Sequence, residues 1–291
     1  MSTTFPDHEP ETTQDVDVQA LAEGLASMPD DTVFSHRTAA QLWGLWIPRF
    51  DGVEVTSPAT VNGSRYTTSV QRRAVVAHRR NLDPAEVVVE RGLPVTSLAR
   101  TWLDLASLLG LHDLVAAGDR ALQLGATADE LRDYAAAASH LRGVRRGRIA
   151  AGLLNARSRS RPESRIRCAL VLGGLPEPRV NEAVHDRWGQ WLAEPDLHYR
   201  EAKLALEYNG ADHGTVPRMR KDSTRLLDLQ RDDWEVRTYT SVHAFSRLDE
   251  VVTDVRGLLS RRAPELLAVT QLARRVTYLH DRRRRISRLR S

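Results

Sequence analysis

Residues 191–214 read WLAEPDLHYREAKLALEYNGADHG, and the pairing of this stretch decides the fold of the C-terminal half. Two runs, Gln190–Leu197 and Lys203–Tyr208, have strand character and form a hairpin if the chain turns near Tyr199–Ala202. That turn sets Asp196 opposite Ala205. Side chains alternate across a strand, so Asp196, Ala205, Glu207 and Asn209 share one face. Trp191, Ala193, Leu197, Leu204, Leu206 and Tyr208 make the other face, a candidate core layer. Glu207 is then the diagonal neighbour of Asp196, at roughly 7–8 Å. Two carboxylates at that spacing can grip one hard cation, Mg²⁺ or Mn²⁺, at about 2.0–2.1 Å. Without a cation, burial would raise at least one of their pKa values. With one, water is activated and phosphate charge is neutralised. The same spacing equally suits two exposed acids paired with arginines.

Three neighbours extend the constellation. Glu163 lies in SRPES, where Ser160 caps a helix and Glu163, three residues on, reaches back toward the cap. The same first-turn acid could project over a sheet edge. His213 follows Glu207 by six residues and could orient a water or act as a base; an exposed loop histidine is the plainer reading. Lys203, at the start of a strand and in parity with Glu207, could contact phosphate.

Around this hairpin the second half reads helix (Ser160 to about Leu172), strand (Arg179–His185), the hairpin, helix (Val216–Arg231), strand (Trp234–Thr238) and helix (Arg247–Leu259). That order predicts an α/β unit, a mixed sheet flanked by helices over residues 160–260. Residues 17–155 predict a smaller α+β and helical domain. Its helices are expected at Val18–Ala26, from Ser35 to Gly44, and at Ser97–Leu109, His112–Leu124 and Thr127–Ala138. Its strands are expected at Gly52–Thr56, Arg73–His78 and Glu86–Glu90. Residues 1–16 read as an acidic disordered tail, and 264–291 as a basic helical tail.

Charge is unevenly spread. The 291 residues carry 42 Lys and Arg against 38 Asp and Glu, a net charge of +4. Residues 1–31 hold eight of the acids and no Lys or Arg, which leaves +12 on the remainder. Lys203 and Lys221 are the two lysines; every other base is arginine, whose planar fork suits phosphate. Nine arginines fall between Arg142 and Arg167, and six between Arg282 and Arg290. This distribution points to DNA, with Arg165 and Arg167 as candidate backbone contacts, though solvated helix faces look the same. It also suggests that the acidic first 31 residues fold back and screen the basic body. The one cysteine, Cys168, excludes an internal disulfide and a multi-cysteine zinc site. No apolar run is long enough to span a bilayer and no secretory layout opens the chain, so a cytoplasmic protein with no membrane partner is expected. Phosphate-loop, HExxH and GxSxG motifs are absent.

Several stretches resemble known families. PESRIR, GGLPEPRVN, Pro195–Asp196, LALEYNGADH and WEVRTYTSVHAF resemble a bacterial domain-of-unknown-function family whose fold is similar to the very-short-patch-repair endonuclease, a PD-(D/E)XK fold. The resemblance implies a catalytic set of Glu163, Asp196, Glu207 and His213, with Asp196 and Glu207 as metal ligands. Two departures stand out. Asn209 occupies a position commonly Asp, and the usual PD-(D/E)XK lysine has no counterpart in register. VFSHRTAAQLWGLWIP and GLPVTSLARTWLDLA resemble actinobacterial proteins with AbiEi-type antitoxin domains of type IV toxin–antitoxin systems. Together these imply a metal-dependent DNA endonuclease-like protein. The alternative they leave open is a non-catalytic DNA-binding regulator, antitoxin-like, with a toxin as a possible protein partner.

Overall fold

The computed structural model describes residues 16–58, 75–210, 227 and 229–268. Within them the helices are α1 (Val18–Leu25), α2 (His36–Trp43), α3 (Leu98–Leu105), α4 (Leu111–Gln123), α5 (Ala128–Ala137), α6 (Val144–Ala151), α7 (Arg161–Leu172), α8 (Ser241–Ser246) and α9 (Leu248–Arg262). The strands are β1 (Val33–Phe34), β2 (Val53–Ser57), β3 (Val75–Arg79), β4 (Val87–Glu90), β5 (Leu93–Thr96), β6 (Arg179–Val180), β7 (Val184–His185), β8 (Trp191–Ala193), β9 (Leu197–Tyr199), β10 (Leu204–Tyr208) and β11 (Glu235–Tyr239). The chain is a mixed α/β protein with sheets in two regions and helices beside them. It divides into two compact units, Met1–Ser164 and Arg165–Ser291, and the division falls inside α7.

In the first unit a five-stranded sheet runs in the order β3-β2-β1-β5-β4. β2 is antiparallel to β1 and parallel to β3, and β1 is parallel to β5. Phe34, Val53, Val55, Val75 and Val95 bury against Leu21 of α1 and Ala39 and Leu42 of α2. Local signals fix the helix ends. Asp17 caps α1 through the Ala20 N–H. Gly44 ends α2 in the left-handed region at φ 73°, where a side chain would be strained. Thr127 and Glu130 close a capping box on α5. Trp102, Leu103, Leu114 and Leu131 are buried on the helices that follow the sheet.

In the second unit a four-stranded sheet runs β11-β10-β9-β6, with β10 parallel to β11 and antiparallel to β9. One sheet face carries Leu197, Tyr199, Leu204 and Leu206, buried against Ile166 and Leu170 of α7 and Val251, Val255 and Leu258 of α9. Ala205 lies on the other face, in a second cluster with Trp234, Leu229 and the stems of a separate β7–β8 hairpin, Val184 and Ala193.

Two expectations are corrected. Gln190–Leu197 is not one strand: β8 ends at Ala193 and β9 begins at Leu197. Pro195 stands in the gap, and its missing N–H cannot support a continuous ladder. Trp191 is therefore on the small hairpin and exposed, not in the core layer, and Ala193 packs with Ala205 rather than opposite it. The hairpin register also differs by two residues, since Ala205 pairs with His198 rather than Asp196. Most of the expected Val216–Arg231 helix, and the tail from residue 269 on, lie outside the described residues.

Candidate functional site

The β9–β10 register pairs Leu204 with Tyr199, Ala205 with His198 and Leu206 with Leu197. Asp196 lies in a bend immediately before β9, and Glu207 on β10 one residue past the last paired position, Leu206. Alternation along β10 puts Glu207 on the Ala205 face, the one that carries the β7–β8 hairpin. Both acids are half-buried. Asp196 Oδ2 accepts the Tyr208 N–H at 2.7 Å, which ties the acid to the partner strand.

His198 is the residue sequence reasoning missed here. It sits between the acids and the hairpin turn, 1% exposed, on the same face as Ala205, with its ring edge-on to Trp234 at 5.8 Å. Neither ring nitrogen has a hydrogen-bond partner. Burial pushes its pKa down to about 4, so the ring is neutral at pH 7. The alternation of DLH was visible in the sequence, but only the observed register pairs His198 directly with Ala205.

The other expected site residues are placed as follows. Glu163 is buried in the first turn of α7, where it accepts the Arg159 N–H at 2.9 Å and the Ser160 hydroxyl at 2.8 Å, while its own N–H reaches Ser160 Oγ. The capping arrangement is thus present, shifted so that the carboxylate takes the amide before the cap. Arg165 donates to the Ala244 carbonyl at 2.9 Å and lies 5.0 Å over the Phe245 ring. Arg167, 1% exposed, donates to Glu177 at 2.9 Å. Both guanidinium groups are thus engaged inside the second unit. Lys203 precedes β10 in a left-handed turn at φ 45°, and its Nζ donates to Asp232 Oδ2 at 2.9 Å. His213 lies outside the described residues.

Asp196 and Glu207 together make a hard oxygen donor pair, which fits Mg²⁺ or Mn²⁺ in ligand type. Among the described residues no three His, Cys, Asp or Glu side chains gather as a metal-holding group.

The first unit holds a second polar cluster. Glu54 on β2, 1% exposed, accepts the Arg37 N–H at 2.8 Å and two bonds from the Arg37 guanidinium. It thereby caps α2 in place of Ser35, whose hydroxyl instead meets His36 Nδ1 at 2.9 Å and receives the Thr56 hydroxyl. The His36 ring stacks on His78 at 3.6 Å, and His78 Nε2 stands 3.7 Å from Glu54. Burial opposes ionisation of Glu54, but the polar contacts from His78 and Arg37 outweigh it and hold its pKa near 2. Burial, with His78 close by, drives His36 down to about 3.

Two uncharacterized proteins of Mycobacterium tuberculosis, from strains CDC 1551 / Oshkosh and ATCC 25618 / H37Rv, are each 26% identical to this chain over 147 residues. The match takes in 50% of this chain and 54% of theirs, so the chain spans about half the length of these curated relatives. No family model and no solved structure matches the chain. No helix among the described residues is long and apolar enough to cross a membrane.

Proposed function

We propose that the second unit is a PD-(D/E)XK-type module that acts on DNA, hydrolysing phosphodiesters with a divalent cation held by Asp196 and Glu207. The observation that carries this reading is the Asp196 carboxylate accepting the N–H of Tyr208, the residue next to Glu207, at 2.7 Å. When bound, such an ion supplies positive charge that neutralises a phosphate oxygen and acidifies water for attack. Asp196, anchored by the Tyr208 amide, is the fixed ligand, and Glu207 completes the pair. His213 is assigned the orientation of water, and Glu163 keeps its capping bonds at the start of α7.

The test is cleavage of supercoiled plasmid by purified protein with Mg²⁺ or Mn²⁺, beside Asp196→Ala and Glu207→Ala. Metal-dependent nicking by the native protein, lost in both variants, is the expected result. Equal inertness of all three, with DNA binding intact in the presence of chelator, would replace it with a second reading. That reading is an antitoxin-like DNA-binding regulator on the same scaffold, with a toxin as protein partner. It is favoured by Asn209, which brings no charge, and by the lack of a three-residue metal-holding group among the described residues.

A further inference from the structure

The β7–β8 hairpin exposes two large aromatic rings, Trp188 at 71% and Trp191 at 59%. Each exposed indole is costly in water unless something covers it. The hairpin is anchored and stiff. Its stem residues Val184 and Ala193 are buried against Ala205 and Trp234. At its tip the Asp186 carboxylate accepts the N–H groups of Trp188 and Gln190, both at 2.8 Å. The Asp186 amide donates to the Gln190 carbonyl at 2.9 Å, and Gly189 turns the chain at φ 83°. On the solvent side, Trp191 stands opposite His185, also exposed. The Arg187 guanidinium covers one face of Trp188 at 4.1 Å.

We propose that this hairpin is a stacking platform for unpaired nucleobases, so that the DNA the second unit takes is single-stranded or locally opened. The proposal rests on the DNA-acting reading above and specifies its substrate. Three observations favour a nucleic acid as occupant. Flat rings beside a guanidinium match a ligand made of flat bases on an anionic chain. The remaining exposed positions of the hairpin, His185, Arg187, Gly189 and Gln190, are polar or small, whereas a membrane patch needs further apolar side chains. The hairpin stem also packs on the Ala205 face of β10, the strand that carries Glu207, and Asp196 follows the hairpin closely in the chain. Trp191 and Asp196 are five positions apart, a span of at most about 18 Å. That is roughly five stacked nucleotides at the rise of one DNA strand. A base held on the indoles therefore leaves a phosphate within about five nucleotides of it in reach of the acids. A duplex buries its base faces in its stack and offers none to the platform.

The experiment is fluorescence anisotropy of labelled oligothymidylate, and of a blunt duplex of equal length, with native protein, Trp188→Ala, Trp191→Ala and Trp188→Phe. EDTA is present throughout, so the outcome does not depend on a bound cation. Both indoles are exposed, and circular dichroism checks that each variant is folded. The native protein is expected to prefer the single strand. Each alanine variant should lose about 5–100-fold in affinity for it, Trp188→Phe should recover most of that loss, and duplex binding should barely change. Equal single-strand affinity in native and alanine variants, with duplex binding retained, overturns the platform and leaves the DNA-acting reading standing. Absence of binding to either DNA form overturns the platform, while plasmid nicking with Mg²⁺ or Mn²⁺ decides the DNA-acting reading separately. Tryptophan-dependent binding to phosphatidylserine vesicles without binding to DNA would make the hairpin a membrane patch instead, and also overturns the proposal.

Discussion

Glu54 does the work of a helix cap from another strand. Its carboxylate satisfies the Arg37 amide at the start of α2 and forks onto the Arg37 guanidinium, inside a sheet where water cannot replace it. Glu54→Gln keeps the shape and removes the charge, so Arg37 loses its charged partner. Loss of one partner of a buried pair costs roughly 3–5 kcal/mol. The Arg37 side chain is partly exposed and softens this, so about 2 kcal/mol of stability should be lost in urea unfolding at pH 7. The pH dependence has a definite sign. Glu54 sits near 2 against an ordinary 4.5, so its contribution is complete above pH 4.5 and is lost as pH falls toward 2. His36 titrates near 3 when folded and 6.5 when unfolded. The unfolded chain therefore takes up that proton first, and stability declines from pH 6.5 downward. Unfolding midpoints at stepped pH should fall across both windows, and Glu54→Gln should flatten only the lower one. None of this cluster was legible in sequence, because Ser35, Glu54 and His78 are scattered over more than forty positions and no local pattern links them. The partners of Arg165 and Arg167 were hidden for a related reason. An arginine-rich run looks like a solvated face until the Ala244 carbonyl and Glu177 arrive from elsewhere in the chain.

Elements with local signals were readable, and elements made by distant pairing were not. α1, α2 and α5 announce themselves by Asp17, Gly44 and the Thr127–Glu130 box. β1 has two residues and β5 contains Pro94, so neither shows a period, and their parallel pairing joins Phe34 to Val95. The acid-bearing hairpin was readable in parity but not in register. Alternation specifies a face, and a slip of two residues leaves every face unchanged. The pairing of these two segments followed from the sequence, but its register did not. Glycine positions test the element geometry. Gly143 begins α6 at φ 83°, and a Cβ there would collide with the Ala106 carbonyl. Gly110 begins α4 in extended backbone with open space around it. Gly143→Ala should lower the thermal midpoint, costing more than about 1 kcal/mol. Gly110→Ser adds a better cap and should raise stability by a few tenths of a kcal/mol. Thermal unfolding of the two variants followed by circular dichroism reads both signs in one experiment.

At the scale of the whole molecule the charge split is the feature that sequence alone exposes, and the fold changes how it must be tested. Removing residues 1–31 outright would remove more than charge, because Leu21 of α1 is buried in the first unit's core and Val16, Val18, Leu25 and Met28 pack against it. Asp17 caps that helix, and Asp31 holds the Ser57 hydroxyl. Among the acids that none of these contacts uses are Asp7, Glu9, Glu11 and Asp15. If the acidic segment screens the basic remainder, the quadruple change of these residues to Asn and Gln should tighten DNA binding at low salt. The gain should shrink as ionic strength rises, since the Debye length drops from about 30 Å at 0.01 M to about 8 Å at 0.15 M. The slope of log affinity against log salt should also steepen, because phosphate contacts previously opposed by the acids now release counterions. Anisotropy titrations of native and quadruple-variant protein over a salt series separate this from a change in fold. A fold change would shift affinity at every salt concentration, whereas screening converges at high salt. Coincident curves for the two proteins at low salt would show that the acidic segment and the arginines act independently.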